Sequence, residues 1–246
     1  MYLPAIKGII ERRILVNFTA DPDIISKIIP APFTPKLYKG KAIVGICLIR
    51  LKKIRPIGLP GLISLSSENG AHRIAVEWVE NNEIKQGVFI PRRDTSSRIN
   101  SFVGGRLFPG KHFHAEFNVN EKNGHYDVAF KSTDGTTIDI SADKSIDFDQ
   151  QSIFQNVENA SRFFEAGAVG YSPSGNKFQG LRLSTANWKV QPLTVSKVHS
   201  SFFENESIFP KGSVQFDNAL LMTEIDHEWH SLHRTLNVSK SDSLVR

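Results

Sequence analysis

A single lysine stands at the head of an alternating run. Lys111, Phe113, Ala115, Phe117 and Val119 recur at every second position, directly after Phe108-Pro109-Gly110. In a strand these residues share one face, which predicts the Lys111 side chain on an apolar surface. An ammonium that loses hydration there is driven toward the neutral amine, a nucleophile for carbonyl carbon. The plainer alternative is a turn lysine whose stem covers apolar atoms while its head stays in water. Both readings stand at the level of sequence.

Other groups with chemical potential are weaker. Glu68 sits in the turn-rich Ser66-Ser67-Glu68-Asn69-Gly70, and function concentrates on loops. His112, His114 and Glu116 fall on the opposite, polar side of the run headed by Lys111 and could offer a metal two imidazoles and a carboxylate, although Lys131 is a ready partner for Glu116. In His227-Glu228-Trp229-His230 the histidines are three apart, where the zinc-protease motif needs four, and a structural or surface role is expected. Ser141 with Lys144 and Ser174 with Lys177 match a serine-x-x-lysine spacing without its companion motifs. The one cysteine, Cys47, lies among aliphatics and reads as core. No nucleophile elbow, phosphate loop or dinucleotide glycine fingerprint is present.

The chain has 246 residues, 40% apolar and 22% charged, with 17 phenylalanines, as for a globular protein with an aromatic interior. One cysteine rules out an intrachain disulfide framework. The net charge of +5 is divided among short groups, Arg12-Arg13, Lys52-Lys53 and Arg92-Arg93, without a nucleic-acid-binding motif, so no nucleic-acid partner is expected. No leader or membrane-spanning apolar run is seen, and a cytoplasmic location is expected.

The elements that must position these groups are mostly strands. Glu11 to Thr19 reads as a strand, followed by a helix capped at Asp21-Pro22 and ended at Pro30. Lys41 to Leu51 is almost continuously apolar, which predicts a strand covered on both faces. Arg73 to Val79 alternates and turns at Asn81-Asn82 into a strand ending at Ile90. A short helix is predicted from Asp94 or Thr95 through Val103, and a longer one from Ser152 to Phe164. Asn123-Gly124 fixes a hairpin that sets Val119 against Val128, Phe117 against Phe130 and Glu116 against Lys131. A loop at Thr133-Asp134-Gly135 then sets Phe130 against Ile138 and Val128 against Ile140. From Leu181 to about Leu232 long strands are broken by turns at Gln191-Pro192 and Pro210-Lys211-Gly212, and the tail after Leu236 is polar. The fold class is mainly β (α+β): a large antiparallel, barrel-like sheet with helices outside.

On its motifs, the chain resembles the YqjF-like group of bacterial proteins within the acetoacetate decarboxylase-like superfamily. The resemblance spans roughly residues 11 to 232 and is carried by residues 91 to 98 (Pro-Arg-Arg-Asp-Thr-Ser-Ser-Arg), 104 to 110 (Gly-Gly-Arg-Leu-Phe-Pro-Gly), 45 to 50 and 170 to 173. It implies a single domain over 1–246, an antiparallel β-barrel with a few peripheral helices, and a small-molecule pocket. Ile28-Ile29-Pro30-Ala31-Pro32 is similar to the decarboxylase's Val-Val-Pro-x-Pro, and Ser67-Glu68-Asn69-Gly70 to the segment of its active-site glutamate. Its Schiff-base lysine is the first of Tyr-Pro-Lys-Lys; here Gly110 takes that place and Lys111 the second. Its arginine before the first strand falls on Glu11, one residue from Arg12. In that enzyme the nucleophile's pKa has been attributed to a neighbouring cation or to desolvation, and a lone lysine keeps only the second cause.

The resemblance thus implies a pocket near Lys111 and Glu68, lined by Arg98, Arg106, His72 and Phe108, and disfavours acetoacetate decarboxylation. Three functions follow as expectations. The first is binding of a small apolar or carbonyl compound. The second is a lyase in which Lys111 forms an imine and Glu68 moves protons. The third is a metal enzyme using His112 and His114. No cofactor, metal or membrane is expected, and a homo-oligomer is compatible with the superfamily.

Overall fold

The computed structural model describes residues 5–58, 65–98, 109–185 and 187–232, with the backbone of 236–237. Its centre is a long strand rich in β-branched residues, β1 (Ile6–Ala20), flanked by β4 (Lys41–Pro56) and β13 (Val214–Ser231). β5 (Leu65–Glu80) and β6 (Glu83–Thr95) continue the sheet beyond β4. Asn81 and Asn82 both take positive φ, 53° and 61°, the geometry a type I′ turn requires.

Two closed rings of strands grow from this sheet. One runs from β6 through β7 (His112–Lys122), β8 (His125–Ser132), β9 (Thr137–Lys144) and β12 (Gln191–Ser200) to β13, then through β1, β4 and β5 back to β6. The other leaves β6 through β10 (Val169–Ser174) and β11 (Lys177–Thr185), rejoins β13 and returns through the same shared strands. The pieces β2 (Thr34–Pro35), β3 (Leu37–Tyr38) and β14 (Leu236–Asn237) attach at the margins.

The double ring explains why Lys41 to Leu51 shows no alternation. Val44, Ile46 and Leu48 face a cluster shared with Ala115, Val128 and Ile140 of the first ring. Ile43, Cys47 and Leu51 face a separate cluster with Phe154, Phe163 and Phe164. A strand with two interiors must be apolar at every position.

Two helices accompany the sheet. α1 (Pro22–Ile28) is capped by the Asp21 carboxylate, which accepts from the Asp23 N–H at 2.9 Å. α2 (Val157–Glu165) is capped by Asn156 and closes the second ring with Ala160, Phe163 and Phe164. Phe154 is packed against Tyr38, Phe163 and Phe164 at ring-centroid separations of 4.5, 5.3 and 5.5 Å.

Both predicted hairpin registers are present, with Phe117 opposite Phe130, Glu116 opposite Lys131 and Phe130 opposite Ile138. Elsewhere the fold departs from expectation. The sheet is mixed, because β6 pairs in parallel with both β7 and β10. Gln191-Pro192 opens β12 instead of forming a turn: Pro192 sits at the first positions of a strand, where a missing N–H is tolerated. The longer helix starts only at Val157. Asp94 and Thr95 belong to β6, Ser96 and Ser97 are not helical, and the predicted helix from 99 to 103 lies outside the described residues. Among the described residues no helix is long and apolar enough to cross a membrane.

Candidate functional site

A cavity of about 120 Å³ lies in the second ring, between the outward face of β1, β4, β5 and β6 and a cover made by α2, β10 and β11. Most of its wall is apolar, including Phe163, Phe164 and Ile90. Into this wall project Arg13, Arg73, Arg93, Lys36, Cys47 and His112, and Asp94, held by Arg92, borders it.

The three arginines come from three strands of the shared sheet, β1, β5 and β6, and among the described residues none of them pairs with a carboxylate. Arg13 Nη2 donates to Cys47 Sγ at 3.6 Å, while its guanidinium lies 5.6 Å from the Trp188 ring. Arg73, 4% exposed, donates to Asn17 Oδ1 and stacks 4.7 Å from the Phe164 ring. Arg93 Nε donates to the Pro109 carbonyl at 3.0 Å, and its Nη2 reaches Ser172 Oγ at 3.4 Å. Arg13 Nε and Nη1 and Arg73 Nε are buried without hydrogen-bond partners. Guanidinium groups in a mostly apolar wall, with spare donors on Arg13 and Arg73 and no paired carboxylate among the described residues, make a site that favours an anion. Burial holds Arg93 down to about 10 and lowers Arg73 as well, in each case through lost hydration of the cation.

Two other groups complete the wall. Burial alone would push the Cys47 thiol up, but the charges of Arg13 and Arg73 together outweigh it and leave the thiol below its usual value. Burial, aided by the Arg93 charge, pushes His112 down to about 4. Its Nδ1–H donates to the Gly110 carbonyl at 3.1 Å. His112 therefore faces the cavity and not the solvent side expected for it, because β10 and α2 cover what would be the outside of a simple barrel.

Of the residues singled out by sequence, His112 and Cys47 line this cavity, but Lys111, Glu68 and His72 do not. Lys111 is exposed, with its ammonium 5.1 Å from the Phe113 ring centroid, and is absent from the cavity wall; the enclosed position expected for it is corrected. On the face headed by Lys111 only Ala115 is buried, while Phe113, Phe117 and Val119 are half-buried. Glu68 lies on the other face of β5, held by Arg12 at 2.5 Å and by Arg50. His72 is fully buried on that same face, 4.5 Å from Phe202, with both ring nitrogens unpartnered. Arg98 is exposed, three residues beyond the end of β6. Arg106 and Phe108 lie outside the described residues. Among the described residues no three histidine, cysteine, aspartate or glutamate side chains gather as a metal set.

Gly110 is fixed by geometry. Its φ is +105°, and a Cβ there would stand 2.7 Å from Ser172 Cβ and 3.8 Å from Arg93 Nε. Any side chain at this position would point at the mouth of the arginine cluster, but it would need a left-handed backbone and a displaced Ser172. Gly110→Ala is expected to lose about 2 kcal/mol in urea unfolding, from backbone strain plus overpacking. A loss below about 0.5 kcal/mol would show that the turn relaxes freely.

Comparison with known proteins agrees with this architecture. No curated protein matches the chain in sequence. The structure is similar to acetoacetate decarboxylase from Legionella pneumophila subsp. pneumophila str. Philadelphia 1, with a TM-score of 0.62 and 11% identity over 97% of this chain and 90% of that one. It is also similar to an acetoacetate decarboxylase-like enzyme from Sphingomonas wittichii RW1, with a TM-score of 0.57 and 9% identity over 97% and 94% of the two chains. The enduracididine biosynthesis enzyme MppR, complexed with pyruvate, matches with a TM-score of 0.52 and 12% identity over 97% and 92%. These likenesses show a shared fold. A model of the DUF2071 family, uncharacterised conserved proteins, matches residues 10–222, so the chain belongs to that family and carries an acetoacetate decarboxylase-like fold.

Proposed function

We propose that this protein binds a small organic acid with a carbonyl group in the cavity of the second ring, without forming a lysine imine. The observation that carries this reading is the set of arginines 13, 73 and 93, without carboxylate partners among the described residues and opening onto a mostly apolar chamber. A carboxylate would satisfy the spare N–H donors, and the aromatic wall would take the remainder of the ligand. That one neighbour of the fold was captured with pyruvate fits a ligand of this class.

The chemistry at the strand start supports the same reading. By the motif resemblance, Gly110 stands where the decarboxylase has its nucleophilic lysine, and a Cβ there would lie 3.8 Å from Arg93 Nε. A guanidinium still protonated near neutral pH holds an anion and does not add to a carbonyl. Lys111 remains a candidate imine former only if it leaves its exposed position beside Phe113.

Titration calorimetry with pyruvate, acetoacetate and glyoxylate, and with their neutral esters as controls, tests the proposal. The acids are expected to bind and the esters to fail. Arg13→Met and Arg93→Met should each weaken the acids by about tenfold or more, the worth of one charge-assisted hydrogen bond. Lys111→Ala should leave affinity unchanged, and borohydride should trap no adduct. A borohydride adduct lost in Lys111→Ala would replace this reading with the imine-forming lyase, and equal binding of acids and esters would remove the role of the arginines.

A further inference from the structure

Resting on the anion-binding reading above, we propose that Cys47 is the nucleophile of this cavity, a thiolate that adds reversibly to the carbonyl carbon of the bound acid. Cys47 is 3% exposed at the middle of β4, yet it lines the cavity instead of being sealed in hydrocarbon. Its sulfur sits 3.6 Å from Arg13 Nη2. Arg73 flanks the same wall with its Nε–H unpartnered and is itself almost fully buried. A structural cysteine needs apolar neighbours only, and two guanidinium groups beside it would be a costly arrangement for packing alone. Beside a sulfur anion they have a clear electrostatic role, and they drive the thiol downward against the effect of burial.

The same donors set the geometry of the ligand. A carboxylate taking the free N–H groups of Arg13 and Arg73 places the adjoining carbon near Sγ, which selects α-keto acids and α-aldehyde acids over longer acids. In the step itself a sulfur lone pair forms the C–S bond and the carbonyl π pair moves to oxygen. That oxygen then takes a proton from water, releasing hydroxide to solvent and giving a hemithioketal or hemithioacetal. Nothing is oxidised or reduced, and reversal returns thiolate and acid.

Alkylation of the intact protein with iodoacetate and with iodoacetamide, followed by mass spectrometry from pH 5 to 9, tests the thiolate. Iodoacetate is expected to label Cys47 at least tenfold faster than its neutral analogue, at pH values well below the ordinary thiol range near 8.5. Glyoxylate should protect, and Arg13→Met should abolish the preference for the charged reagent. With carbonyl-¹³C glyoxylate, the carbon spectrum should gain a protein-bound tetrahedral signal that Cys47→Ser lacks. Failure of both reagents to label the folded protein, or equal labelling that follows a free thiol's pH profile, would overturn the proposal. If the acids still bind by calorimetry in that case, only the thiolate is lost. If no acid binds while Cys47 still prefers iodoacetate, the binding reading and the addition step both fail and only the arginine-flanked thiolate stands.

Discussion

Arg12→Met will cost about 3–5 kcal/mol of folding stability, the range for removing one partner from a buried ion pair. Arg12 is 1% exposed and bridges Glu68 at 2.5 Å and Glu121 at 2.6 Å. These partners come from β5 and β7, so the guanidinium joins opposite sides of the first ring. Arg50 touches both carboxylates from the more exposed side and holds Glu11 as well. It cannot replace Arg12, because the buried ends of the two carboxylates would then face each other with lost hydration and no cation between them. The triple change Arg12→Met, Glu68→Gln and Glu121→Gln should recover at least half of the loss by removing the stranded charges along with their partner. Urea unfolding of the single and triple variants decides the matter. A single-variant loss under 1 kcal/mol would mean that Arg50 and water satisfy both carboxylates.

The same network shows how far the sequence could be read. Strand positions, both hairpin registers and the two-sided burial of Lys41 to Leu51 follow from local rules, because side-chain alternation and turn chemistry act over a few residues. The site does not follow, because it depends on which strands have two interiors. Arg12-Arg13 and Arg92-Arg93 look like solvated basic doublets in a sheet with one wet face. In β1 and β6, which serve both rings, one arginine of each doublet enters the first ring and the other enters the cavity. Arg92 thus pairs with Asp94 at 2.6 Å while Arg93 lines the chamber. The unbroken apolar run in β4 was the available signal: extended to its neighbours β1 and β5, it would have marked Arg13 and Arg73 as facing a second interior. Lys111 misled for the opposite reason. Period two reports a shared face but not where along it the covering begins.

Acid will unfold this protein through its buried histidines. Burial, with the Arg92 charge adding to it and Asp134 opposing, pushes His72 down to about 3. His112 and His227 are each pushed down to about 4, chiefly by burial. In the unfolded chain the same imidazoles take up protons near pH 6.5. Between 6.5 and 4 the unfolded state therefore binds more protons than the folded one, so stability falls as pH falls through this window. By pH 4.5 the three together should remove on the order of 5 kcal/mol. His72 has the deepest shift and gains least from its ring nitrogens. Both are unpartnered, and Asp94 Oδ2, at 3.7 Å from Nδ1, is too far for a hydrogen bond. His72→Leu should thus stay within about 1 kcal/mol of the parent at pH 7, since an unsatisfied polar ring is exchanged for an apolar group. It should also flatten the acid slope by about a third. Urea midpoints from pH 7 to 4.5 measure both effects. A parent curve that is level across this range would mean that the buried rings accept protons in place, with Asp94 moving in to pair with His72.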